Sequence, residues 1–558
     1  MMAVSIRRWI LALLSMTGGL LHSQALLPDV QERVLKNGVR VLMVERPGVG
    51  AVHARLFVRG GRSETGGLAP VAADLLVRGL AAPPLPEGTK GIEELLKQEE
   101  GSFEAIRLER IQRQRHGVSE SSSEMQGLEA IQKESIDRLT KLEAEAIRQD
   151  SCSRLGASGR VVLAEADNIT WGWDLPKANL EAWCTQQAQA LKQISLPWLP
   201  LERDRLIREY SGDQRSLPLS VLLGTALGGG VYARVLDIQT PGIEALGWTD
   251  MVTYANRVVI PARTMLVLVG DFSSAEIQPC LERTLGTWKG ASSDPLRQER
   301  PLVELEGGTG ARRLQANTLR DRRLLMAWRI PPVAHPVTPL LKVLGELLGG
   351  GSSSRLARRL MGSQPLAQSV RVLTGTPGGR ETSLLVVEVI PAAEHPLSEL
   401  EQAVLSEVMK LQQGAILQDE VQRAQREVEA SEVMIQEDAS RLAGILGAAY
   451  CQGGDWHLAF RGLVLNRDLT IEEIRNVAQH YLVPTQATTA LLEPDPLLSP
   501  EDRQEARLVT LLKRVLEPRV SDPAQLESVA RETLRQLRMV PAGDRDRIIK
   551  LLEAQVKP

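Results

Sequence analysis

Residues 60–80 read GGRSETGGLAPVAADLLVRGL. The first half is polar and rich in glycine, so Gly60-Gly61-Arg62-Ser63-Glu64 is expected to be a turn. Residues 69–80 carry apolar side chains at helical spacing. Immediately upstream, residues 51–58 alternate as a strand does, and residues 34–45 form two short strands around Asn37-Gly38, a strong hairpin signal. Turn, strand and helix thus follow one another closely, which is the start of an α/β unit.

Residues 88–150 change character and become rich in Glu, Gln, Lys and Arg. Leu128, Ile131, Leu139, Leu142 and Ala146 form a narrow stripe, Glu134 and Arg138 are placed for an i,i+4 pair, and a Ser- and Gly-containing break near 117–127 divides the segment. This predicts a solvated helical hairpin inserted as a spur. Regular elements resume at Val161. Helices are expected over 177–194 and 202–210, a buried strand over 264–269, and a helix from Ser274.

A second unit echoes the first. Val259-Ile260-Pro261 before the strand at 265–269 resembles Leu482-Val483-Pro484 before 489–492, and Ile243-Glu244 is matched with Thr470-Ile471-Glu472-Glu473, a capping box. The expected division is a leader at 1–25, a first domain at 26–291 holding the 88–150 insertion, a linker at 292–310, a second domain at 311–497, and a helical tail at 498–558. The leader rests on Arg7 and Arg8, a mostly apolar 13-residue run at 9–21, and Ser23-Gln24-Ala25 at the cleavage positions. That run is shorter than the roughly 20 residues a membrane span needs. A periplasmic or secreted product with no membrane span after cleavage is expected.

Composition narrows the partners. With 558 residues, 43% apolar, 24% charged and a net charge of −3, the chain is a multi-domain protein with real cores and no basic block for nucleic acid. The four cysteines, Cys152, Cys184, Cys280 and Cys451, lie far apart with no C-x-x-C pair, which excludes a cysteine-based zinc site and leaves their pairing open.

The runs Asn37-Gly38-Val39-Arg40-Val41, Gly60-Gly61-Arg62-Ser63-Glu64, Gly67-Leu68-Ala69 and Val269-Gly270-Asp271, with Pro331-Pro332 and the glycine-rich turn LLGGGSSSRL at 347–356, resemble the pitrilysin/insulinase-type zinc peptidases in order and spacing. The resemblance covers about residues 30–497, and some bacterial members carry a similar helical insertion. It implies an α+β fold: two homologous α/β units of antiparallel-rich sheet, each covered by helices on one side as in a half-clamshell, whose opposite faces line a chamber closed by a second chain.

Peptidases of this type use His-x-x-Glu-His on the first helix: two imidazoles hold zinc and the glutamate takes a proton from the metal-bound water. After Gly67-Leu68-Ala69 this chain has Pro70-Val71-Ala72-Ala73-Asp74. By the resemblance, Pro70 and Asp74 replace the histidines and Ala73 the base. Glu209, seven residues after Glu202, keeps the third-ligand position. Two carboxylates without an imidazole would at best hold a hard cation weakly, so no zinc and no other cofactor is expected. The substrate-facing Asn-Ala pair is replaced by the apolar stretch 161–163. The Arg and Tyr of the substrate clamp are replaced by Met361 and Gln368.

No substitute chemistry stands out. None of the seven histidines (His22, His53, His116, His335, His395, His457, His480) has a second His, Cys or Glu at helical ligand spacing in an apolar stretch, and His53 in a strand reads as structural. Ser352-Ser353-Ser354 reads as a helix cap rather than a nucleophile. Gly228-Gly229-Gly230 lacks the Lys-Ser/Thr of a phosphate loop and reads as a turn. Three functions stay open: a non-catalytic subunit of a zinc-bearing relative, a self-associating scaffold or peptide-binding protein, and an enzyme of unknown chemistry. The first two imply a homodimer or a heterodimer with a zinc-bearing family member.

Overall fold

The computed structural model describes residues 27–494 except 87–88, 90, 117–122, 212–217, 292–310, 319–321, 393–394 and 466–468, with five isolated positions beyond. The expected leader and linker, and nearly all of the tail, lie outside the described residues.

The first sheet contains β1 (Gln31–Val34), β2 (Arg40–Glu45), β3 (Ala51–Arg59), β4 (Ser158–Ala164), β5 (Asn168–Pro176) and β6 (Thr264–Gly270) in the order β1-β2-β6-β3-β5-β4. The second contains β7 (Arg312–Thr318), β8 (Arg323–Ile330), β9 (Ala367–Thr376), β10 (Ser383–Pro391) and β11 (Thr488–Pro494) in the order β7-β11-β8-β10-β9. Without β1, the two orders superpose strand for strand. In each, the last strand lies parallel to the first and antiparallel to the second. The duplication foreseen from two tripeptides is therefore complete at the level of topology.

The echo itself is physical. Pro261 and Pro484 each open a 3₁₀ turn that follows a helix, α7 (Trp248–Val258) and α14 (Ile471–Tyr481), and feeds an interior strand, β6 or β11. One match needs correction. Thr470 caps α14 through Glu473, whereas the corresponding start of α7 is Gly247, whose N–H is accepted by Asp250 at 3.2 Å. Ile243-Glu244 ends a separate short helical turn instead.

Each unit covers one sheet face with its own helices. In the first, Val52, Ala54, Leu56 and Val58 alternate inward from β3 against α1 (Ala72–Leu80), α4 (Leu180–Lys192) and α5 (Leu199–Ser211). In the second, Leu324, Met326 and Trp328 pack on α9 (Thr338–Gly349), α11 (Leu397–Gln412) and α14.

The opposite faces do not line an open chamber. Leu42, Phe57 and Val267 of the first sheet are covered by Leu442, Ala443 and Leu446 of α13 (Ala439–Gly453), a helix of the second unit. Leu325, Val386 and Leu492 of the second sheet are covered by Leu222, Leu223 and Ala226 of α6 (Pro218–Ala226), a helix of the first. The units exchange one helix each. Gly447 permits the approach, since a Cβ there would stand 2.2 Å from the Phe57 ring.

The insertion forms two long antiparallel helices, α2 (Ile92–His116) and α3 (Ser123–Arg148), but it is not a solvated spur. Its Ile92, Leu95, Leu139 and Ala146 form a core with Trp198 and Leu201 at the start of α5. Glu99 and Arg203 pair at 2.7 Å with both side chains almost fully buried. The narrow stripe is enough to dock the hairpin because the turn leading into α5 supplies Trp198 to fill it.

Candidate functional site

The motif positions lie where a metal helix would begin. Residue 70 precedes α1, and Val71 is its N-cap, so proline's fixed φ and missing N–H are harmless there. Ala73 is buried against the first core and offers no proton acceptor. Asp74, in the first turn, suits the positive end of the helix dipole.

Every charge at this position is paired. Arg62, from the turn after β3, donates to both oxygens of Asp74, from Nη2 at 2.6 Å and Nε at 2.9 Å. Arg78, one helical turn beyond Asp74, donates to Glu209 at 2.7 Å and lies 3.6 Å from Glu202. Glu202 accepts from Arg205 at 2.5 Å, and Arg205 also pairs with Glu143 of the insertion. Burial works against the Arg62 cation, but the charge and hydrogen bonds of Asp74 outweigh it and hold its proton more firmly. Tyr210, beside them, has its phenol pushed up to about 12, by burial first and then by Asp74.

Zinc does not fit this set. Pro70 has no donor atom, Asp74 has both oxygens committed to a guanidinium, and Glu209 is committed to Arg78. Imidazole is absent, and two guanidiniums already supply positive charge here. Among the described residues no group of three metal-ligating side chains converges. The purified chain is expected to hold no stoichiometric zinc and to cleave no peptide by itself. Elemental analysis finding about one zinc per chain, with chelator-sensitive cleavage, would refute this.

A cavity of about 550 Å³ persists beside the site, walled by Arg62, Ser63, Pro70, Val231 and Arg107 of the insertion. The hairpin is held over it by Arg107 to Asp250 at 3.3 Å and by Glu100, which accepts the Trp248 N–H at 3.1 Å. The clamp positions are elsewhere. Met361 caps the C-terminus of α10 (Arg355–Leu360), Gln368 sits on β9, and neither lines this cavity. Val161, Val162 and Leu163 lie on β4, at the edge of the first sheet.

Between the units is a buried polar junction that the sequence reading missed. Glu64 pairs with Arg263 before β6 and with Arg380 from the loop joining β9 and β10. Asp167 accepts the Gly379 N–H at 2.8 Å and the Tyr232 hydroxyl at 2.5 Å, and Tyr232 accepts the Arg380 N–H at 2.9 Å. The minor candidates resolve as structural. His53 and Arg55 share Asp174, at 2.7 and 2.6 Å, and Ser354 caps α10 through the Ala357 N–H.

Fold and site thus define a two-unit peptidase architecture without a peptidase centre. Residues 248–428 match the family described as "Peptidase M16 inactive domain". "Zinc protease PqqE" of Helicobacter pylori is 20% identical over 254 residues, 44% of this chain and about half (55%) of that protein. The crystal structure of a protease from Helicobacter pylori superposes with a TM-score of 0.65 at 17% identity, covering 84% of this chain and all of that one. A peptidase M16 inactive domain from Pseudomonas fluorescens gives 0.60 at 15%, covering 85% and 99%. Residues 248–428 thus match the inactive-domain family, the fold is that of the M16-like peptidase structures, and Pro70, Ala73 and Asp74 stand where a His-x-x-Glu-His motif would lie.

Proposed function

We propose that the chain is a non-catalytic periplasmic subunit that pairs with a zinc-bearing relative and holds peptides in its own cleft. The observation that carries this reading is a cleft kept without its chemistry. The 550 Å³ cavity beside Pro70 is walled and propped by the insertion, while the ligand-position carboxylates Asp74 and Glu209 are paired with Arg62 and Arg78 and the base position is Ala73. A catalytic partner would supply the metal helix, and this chain would supply wall surface and stability. Each sheet has both faces covered within one chain, so this reading places the association on outer surfaces. Met361 and Gln368 cannot act as the clamp, so the partner must carry its own.

The test is co-expression, leader included, with the most similar motif-bearing relative encoded in the same genome. Copurification from the periplasmic fraction with a raised peptidase rate is the expected result. Copurification without a change in rate would favour a scaffold, and a strict monomer would overturn both.

A further inference from the structure

Arg312 on β7 and Arg329 on β8 sit at one end of a sheet face that otherwise presents Leu314, Leu325 and Ala327 to α6. Arg312 donates from Nη1 to the Thr225 carbonyl at 2.5 Å, and Arg329 from Nε to the Ala226 carbonyl at 2.7 Å. These are the last carbonyls of α6, and a helix C-terminus favours cations. Capping explains only part of the arrangement. Each guanidinium has five N–H donors, and among the described residues no carboxylate lies within 4.0 Å of either. Burial, and then Arg312, disfavours the Arg329 cation, with no acid to offset them.

A cavity of about 370 Å³ opens beside Arg329, bounded by Gly228–Gly230, Tyr232, Glu381 and Thr382. Gly229 has φ +80°, and a Cβ on Gly228 would stand 3.7 Å from Nη1 of Arg312, so the glycine turn brings bare backbone up to Arg312 and shares the cavity wall with Arg329. Val231 lines both this cavity and the one beside Pro70, so the two adjoin.

We propose that Arg329, supported by Arg312, binds the C-terminal carboxylate of an extended peptide whose body lies along the cavity beside Pro70. The planar guanidinium matches a carboxylate fork, and a turn without side chains lets the chain end approach closely. With Nε of Arg329 committed to the Ala226 carbonyl, its two terminal nitrogens remain as a planar edge suited to the two oxygens of a carboxylate. The inference rests on the peptide-holding half of the proposed function and is independent of any partner.

The test uses the full-length protein and two N-terminally labelled pools of random octapeptides, one ending in the free acid and one amidated. Fluorescence polarisation should show the free-acid pool binding about tenfold tighter. Arg329→Gln should abolish that preference, and Arg312→Gln should reduce it. Should R329Q fail to fold, Arg329→Lys keeps the charge but loses the fork, and the preference should still fall. Equal affinity for both pools, no binding of either, or a preference surviving in a folded R329Q or R329K would overturn the proposal. Inorganic phosphate displacing the free-acid pool more effectively than acetate would overturn the choice of carboxylate. Loss of the preference would leave copurification with a relative untouched, so the two readings fail separately.

Discussion

Glu64→Gln is expected to uncouple the two units and destabilise the protein by about 3–5 kcal/mol, the usual range for breaking a buried ion pair. Glu64 pairs with both Arg263 and Arg380, and Arg263 is almost wholly buried. The amide keeps the shape but removes the charge that both guanidiniums share, leaving Arg380 the more distant Asp167 at 3.9 Å. Burial raises the pKa of Glu64, but Arg380 and then Arg263 lower it further, so the net shift is below the ordinary value of 4.5. A depressed carboxylate contributes stability above its unfolded pKa and loses it as pH falls through the folded value. The wild type should therefore weaken as pH drops below about 5, and E64Q should show a flatter acid limb from a lower start. Calorimetry checks both points. An unchanged unfolding midpoint in E64Q would mean that apolar contacts alone hold the units together.

The elements that were legible in the sequence are those set by local chemistry. Asn37-Gly38 marks a hairpin because Gly38 takes φ +97°, and Asn37 then donates to the Leu285 and Trp288 carbonyls. Pro261 and Pro484 betray the duplication because each follows a helix at the same point. What was not legible depends on which surface a helix meets. Residues 218–226 and 439–453 are visibly apolar, but period alone cannot say that each crosses to the other unit's sheet. The complementary signal was a small residue, Gly447, facing a large one, Phe57, nearly four hundred residues away.

The degenerate site shows the same limit. Spacing places Asp74 and Arg78 one turn apart on α1, the arrangement of an i,i+4 pair. The structure instead binds Asp74 to Arg62 from the preceding turn and Arg78 to Glu209 on α5. Position in the motif singles out Asp74 and Glu209, while the arginines that pair with them come from tertiary packing. The cations in the turn at 60–64 and on α1 are ordinary in a sequence, and only their convergence on two carboxylates shows why no metal is needed to balance them.

Arg203→Met should release the insertion, because its anchor would be left with an unpaired buried acid. Arg203 donates to Glu99 at 2.7 Å and to the Leu246 carbonyl at 3.2 Å, and it stacks 3.7 Å over the Phe103 ring. Glu99 also accepts from Gln132 of α3 at 3.4 Å, so one carboxylate ties α2, α3 and α5 together. Methionine fills much of the volume but leaves Glu99 without its cation, a loss of about 3–5 kcal/mol near neutral pH. Burial raises the pKa of Glu99 and Arg203 only partly offsets it, so the net shift is upward. A raised carboxylate contributes stability below its unfolded pKa and loses it as pH rises through the folded value. The sign is opposite to that of Glu64, and R203M should recover stability on acidification while E64Q does not. The double variant R203M/E99L removes both charges and should regain most of the loss, since a buried pair replaced by apolar side chains is often neutral. Limited proteolysis within α2 reports the release directly, with R203M cut faster at pH 7 and the double variant protected. If R203M keeps both its unfolding midpoint and its protease resistance, the hairpin is a solvated spur after all, and deletion of 88–150 would then be tolerated. The buried pair with α5 and the packing of Leu95 and Leu139 on Trp198 argue instead that deletion would strip a side of the first unit and open the cleft beside Pro70.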